Sequence, residues 1–148
     1  MGSERTTSVT KHLFPIPLLL SLLSAGCTQF EEQIVSNLLQ NYVRAQEALA
    51  SDNLPAAVLA FDSLAMESDG AVKEMASRSS SATGLEEARA TFKALSEYLL
   101  GKPLPSGYIV VHCPVAYGGN GADWVQKQGP IANPYLGEAA RECGTILN

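Results

Sequence analysis

The chain has 148 residues, 46% of them hydrophobic and 17% charged, with 10 Lys and Arg against 15 Asp and Glu, a net charge of −5. That length allows one modest domain plus a short extra segment. The acidic balance, with no gathering of Lys and Arg, excludes a nucleic-acid-binding protein, which needs a basic face to neutralise phosphates.

Residues 1–26 have the layout of an export signal: a polar start with Arg5 and Lys11, an apolar run from Leu13 to Leu23, then the small residues Ser24, Ala25 and Gly26. The run is too short to span a bilayer, which takes about 20 apolar residues. Pro15 and Pro17 weaken it further as a membrane helix. Cys27 follows the small residues, and Leu22-Leu23-Ser24-Ala25-Gly26-Cys27 resembles the lipobox of bacterial lipoproteins, in which the cysteine becomes the acylated first residue. Ser24 departs from the leucine commonest at that place. The alternative is a plain secretory signal cut near Ala25, with Cys27 free. With Thr28 rather than Asp after the cysteine, the resemblance implies an outer-membrane, periplasm-facing location if the host is Gram-negative. Losing Glu4, Arg5 and Lys11 leaves residues 27–148 with a net charge of −6.

Thr28-Gln29-Phe30-Glu31 fits a capping box, and Phe30, Ile34, Leu38, Tyr42, Ala45 and Leu49 recur every three or four residues, which predicts an amphipathic helix to about Ala50. Ser51-Asp52-Asn53 supplies stop and cap residues, and Pro55 suits a first helical turn. Leu54, Val58, Phe61 and Ala65 draw a second stripe, so the first two helices form an antiparallel hairpin. Asp69 is placed to cap a short third helix carrying Val72, Met75 and Ala76, with Arg78-Ser79-Ser80-Ser81 read as a loop. Thr83-Gly84-Leu85-Glu86 is a second capping box before the stripe Leu85, Ala88, Phe92, Leu95 and Leu99. Gly101 and Pro103 end that helix. The fold class is therefore mainly α: an up-down bundle of about four helices followed by an irregular C-terminal segment, all in one domain spanning residues 27–148.

From about residue 102 the glycines and prolines become dense, and regular helix is nearly excluded. Tyr108-Ile109-Val110-Val111-His112 is fit for one strand, and Glu138–Glu142 for one or two helical turns. Gly118-Gly119-Asn120-Gly121 reads as a turn with positive φ rather than a phosphate loop, because no Lys-Ser/Thr follows.

With Cys27 assigned to lipid, Cys113 and Cys143 remain as a pair in an oxidising compartment, where the default is a disulfide. Closing that loop is worth about 3.7 kcal/mol on the chain-entropy account. The bond would tie the irregular segment down as a cap. The alternative is a copper(I) or zinc site using His112, Cys113 and Cys143, with Asp123 or Glu142 as a fourth zinc ligand. It requires a sharp turn at Pro114, since neighbours on a strand point to opposite faces. Trp124, Asn133 and Tyr135 form either a recognition surface or a packed corner. Glu31, Glu32, Glu86 and Glu87 give an acidic bundle face. No nucleophile elbow and no Cys-x-x-Cys-His occur, so the expectation is a protein that is not an enzyme and carries no covalent haem.

His112-Cys113-Pro114-Val115-Ala116, Gly121-Ala122-Asp123-Trp124, Ile131-Ala132-Asn133-Pro134-Tyr135-Leu136-Gly137 and Cys143-Gly144 together resemble the domain of unknown function 3347 family of exported bacterial proteins. That domain is also fused to the periplasmic adaptor subunits of heavy-metal efflux pumps. The resemblance extends from about Val35 to Ile146, with its specific part in residues 112–144. It implies the helical bundle and, through context, an interaction or accessory role in heavy-metal handling. Where the family carries methionines, this chain has Val115 and Ala140, which removes two soft donors.

Overall fold

The computed structural model describes residue 2 and residues 24–147, with side chains from residue 35 onward. The expected signal segment falls outside the described residues up to Leu23. Four helices, α1 (Ser24–Ala50), α2 (Leu54–Glu67), α3 (Gly70–Ser80) and α4 (Leu85–Leu100), run up and down in chain order. They are followed by three antiparallel strands, β1 (Tyr108–Cys113), β2 (Ala122–Lys127) and β3 (Thr145–Leu147), in the order β2-β1-β3.

The apolar stripes form the core as their spacing requires. Tyr42, Ala45 and Leu49 of α1, Phe61 and Ala65 of α2, and Ala88, Phe92, Leu95 and Leu99 of α4 are all buried. The first link is a tight helix stop. Asp52, at φ 52°, takes the left-handed position after α1, its N–H donating to Leu49 O at 3.2 Å while Asn53 N donates to Ala48 O at 2.9 Å. Asn53 then caps α2, its Oδ1 accepting from Ala56 N at 3.1 Å.

Three expected boundaries shift. Helix α1 begins at Ser24, so Thr28 is already inside it and the first capping box has no free helix end to serve. Helix α3 continues through Arg78, Ser79 and Ser80, which the sequence reads as loop. The serines make this acceptable by turning hydroxyls back onto the preceding turn, Ser79 to Met75 O and Ser80 to Ser77 O, both at 3.0 Å. Asp69 precedes α3 without a side-chain cap bond. The second capping box is one residue wider than expected: Glu87, not Glu86, accepts from Thr83 N at 2.9 Å, and Gly84 occupies the cap.

The C-terminal segment is more ordered than its composition suggests. It holds three strands where one is expected, and a 3-10 turn at Gly137–Ala140. Between β1 and β2 the chain reverses through Tyr117 (φ 52°, ψ 47°) and Gly118 (φ 68°, ψ 27°), the left-handed turn expected for this glycine run. The outer edge of β2 is covered by the bundle: Val125 N–H, pointing away from β1, donates to the buried Tyr42 hydroxyl at 3.2 Å. A run of rings joins the two parts. Phe92 stacks on Tyr42 at 4.8 Å and meets Tyr135 at 6.0 Å, and Tyr135 meets Trp124 edge-on at 5.9 Å.

Candidate functional site

The chemistry-bearing residues named above converge on one corner of the sheet. Strand pairing aligns His112 with Asp123, Val111 with Trp124 and Cys113 with Ala122. On its other side β1 aligns His112 with Thr145, so one step further the ladder brings Cys113 beside the Cys143-Gly144 turn. Alternation along the strand then sorts the side chains. Val111 and Cys113 face inward and are fully buried, while His112 is half exposed on the opposite face.

Cys113 and Cys143 are both free thiols, so the expected disulfide is not formed in this structure. The ladder nonetheless sets the two thiols beside each other, close enough for Cys113 to act on the Cys143 thiol. That neighbour, with burial adding to its effect, pushes the Cys143 thiol up to about 11. A proton facing a second sulfur is harder to remove than one facing water.

His112 belongs to a different group. Its Nδ1 lies 2.5 Å from Asp123 Oδ1 across the strands, with the imidazole N–H donating to the carboxylate, and its ring packs on Gly121. The trio of His112, Cys113 and Cys143 is therefore split between two faces of one sheet. Among the described residues no cluster of three or more His, Cys, Asp and Glu is placed to hold a metal ion, so the alternative three-ligand set is not brought together here. The physical reason is strand alternation: β1 stays extended through Cys113, and the chain turns only after it. The same split separates His112 from Cys113 as a base and nucleophile.

Trp124, Asn133 and Tyr135 are buried, and they make the packed corner rather than the alternative recognition surface. Asn133 organises it. Its Oδ1 accepts from Tyr135 N at 2.8 Å and Leu136 N at 3.0 Å, and its Nδ2 donates to Cys143 O at 2.8 Å. Tyr135 donates its hydroxyl to Asp123 O at 2.7 Å, and burial raises its phenol well above the ordinary range, as it does that of Tyr42. Tyr117, whose hydroxyl donates to Arg89 O at 2.7 Å, is pushed up to about 12 by burial, against the pull of the Arg89 charge. The expected acidic face survives at Glu86 and Glu87, both exposed, while the side chains of Glu31 and Glu32 lie outside the described ones.

Several residues essential to the corner escape a reading of apolar periodicity. Gln126 is buried and saturated, accepting from Trp124 Nε1 at 3.0 Å and Ala132 N at 3.2 Å and donating to Pro130 O at 3.0 Å. Arg89 donates to Pro134 O at 2.8 Å and Leu49 O at 2.9 Å and pairs with Asp52. Arg141 donates to Ala50 O at 2.9 Å and the Ser51 hydroxyl at 2.7 Å. Gly137 is dictated by the same contacts: at φ 59°, a Cβ there would collide with the Asp52 carboxylate and the Arg89 guanidinium. The one sequence signal was polar side chains on or beside core stripes, Gln46 and Arg89 among them.

No protein-family model matches the chain, and no curated protein or solved structure matches it either. Among the described residues no helix is long and apolar enough to cross a membrane.

Proposed function

We propose that the chain is an exported protein held on a membrane through lipid on Cys27, facing the periplasm, and acting as a non-enzymatic interaction or accessory module of the cell envelope. By its resemblance to the domain of unknown function 3347 family, the module is linked to heavy-metal handling, and a Gram-negative host would carry it on the outer membrane. The observation that supports this most is the position of Cys27 relative to the core. It lies in the first turn of α1, eleven residues before the partly buried Leu38, and residues 35–37 between them are exposed. About three turns of helix thus lie between Cys27 and the first described core contact, the separation a tethered domain needs.

In the same reading Cys113 and Cys143 are oxidised to a disulfide in the periplasm. What supports this is their placement, Cys113 and Cys143 each lying just beyond the His112–Thr145 pair that ends the β1–β3 ladder. The test is the intact mass of membrane-extracted protein alkylated without reductant, with modified positions mapped. Acyl mass on Cys27, together with Cys113 and Cys143 that label only after reduction, is the expected result. An unmodified Cys27 overturns the anchor, and immediate labelling of Cys143 overturns the disulfide.

A further inference from the structure

A groove of about 310 Å³ opens between the middle of α1, at residues 35–39, and the end of α4, at the small end of the range for ligand pockets. Val35, Leu38, Tyr98, Leu99 and Leu104 give it apolar walls, and among the described residues Lys102 is the only charged side chain lining it. The Lys102 ammonium stands 5.0 Å from the centre of the Tyr98 ring, at the rim.

Three further observations concern where this groove sits. Because the helices alternate in direction, the ends of α2 and α4 lie together beside the middle of α1, where Asn41 Nδ2 donates to Glu67 Oε2 at 2.9 Å. Val35, Met66 and Tyr98, three of the exposed large apolar residues, lie at that end of the bundle, with Met66 84% exposed. Val35 is also only about 12 Å along α1 from Cys27, at about 1.5 Å per residue. The end of the bundle that carries the groove is the end nearest the anchor.

We propose that this groove receives an acyl chain of a phospholipid from the membrane that holds the protein, with the lipid phosphate against Lys102. The proposal rests on the reading of Cys27 as lipid-bearing. Apolar walls fit the chain, and the cation at the rim fits the phosphate. The groove would then orient the bundle on its membrane, leaving the C-terminal sheet free to face outward.

The experiment places the lipidated full-length protein in vesicles of phosphatidylethanolamine and phosphatidylglycerol, the latter carrying a photoreactive group in its acyl chain. Crosslinks should concentrate on residues 35–39 and 98–104 and fall about fivefold in Lys102→Gln, the worth of one lysine near an anionic surface. Lys102 is exposed, so the variant keeps its fold, which its circular dichroism would verify. Crosslinks spread over α2 and α3, or groove crosslinks indifferent to Lys102→Gln, overturn the proposal. Full-length Cys27→Ser, added to the same vesicles from outside, separates the two readings. If the groove is labelled in Cys27→Ser while wild-type Cys27 carries no lipid, the anchor fails and the groove stands. Lipid on Cys27 with an unlabelled groove overturns the groove alone.

Discussion

The bundle and the C-terminal sheet are held by different means. Residues 39–99 pack through apolar stripes at helical spacing, and most of their polar groups stay in water. Both parts bury a few polar side chains, but these serve different ends. Ser79 and Ser96 of the bundle bond back onto their own helices, whereas Gln126 and Asn133 take up loop backbone groups in the C-terminal segment, which Arg89 and Arg141 fasten to the bundle. No buried side-chain nitrogen or oxygen among the described residues lacks a partner. The stretch between β2 and β3 lies outside the ladder, so side-chain amides and guanidinium groups take up backbone groups that the sheet leaves over.

The comparison breaks if the sheet is a dispensable annex. Phe92→Ala and Trp124→Ala should each cost about 3–5 kcal/mol of unfolding free energy, because both rings belong to one continuous aromatic run. A much smaller loss for Trp124→Ala in urea unfolding would separate the two parts. Asn133→Ala should cost about 2–4 kcal/mol by stranding the N–H groups of Tyr135 and Leu136 and the Cys143 carbonyl. It should also speed alkylation of reduced Cys143, which mass spectrometry reads directly.

Alkaline pH sharpens the same contrast. The Cys143 thiol is raised from 9.0 to about 11 in the folded state, so its contribution is fully present below about pH 9 and lost as pH rises towards 11. Tyr42 and Tyr135 act in the same direction at still higher pH. Unfolding of the reduced protein should therefore become easier between pH 9 and 11, and Cys143→Ser should flatten that part of the profile. The smallest effect is expected for His112→Ala. Its pairing with Asp123 is solvent-accessible, and such pairs contribute about 0–1 kcal/mol, so the urea midpoint should move little.

Legibility in the sequence follows the same division. Helices α1, α2 and α4 are readable because their buried residues recur every three to four positions. Strand β2 is not, because Trp124, Val125 and Gln126 are buried in succession, the strand being covered by the bundle and by the segment after it, so period two disappears. Strand β3 offers three exposed residues, too few for a pattern. At the site, the neighbourhood of Cys113 and Cys143 is readable from the compartment argument, and the separation of His112 from Cys113 from strand alternation. The partnership of Asp123 with His112 needs the register, and the roles of Arg89 and Arg141 depend on contacts far apart in sequence.

Those two arginines set the order in which the chain completes itself. The carbonyls of Leu49 and Ala50 accept from side chains 40 and 91 residues further on. A chain delivered amino end first can assemble the helical hairpins early, since their contacts are local. The carboxyl end of α1 stays unfinished until Arg141 docks on it. The helical part therefore closes only when the segment after it is in place, and a chain cut before Arg141 would leave a helix terminus open and a bundle face bare.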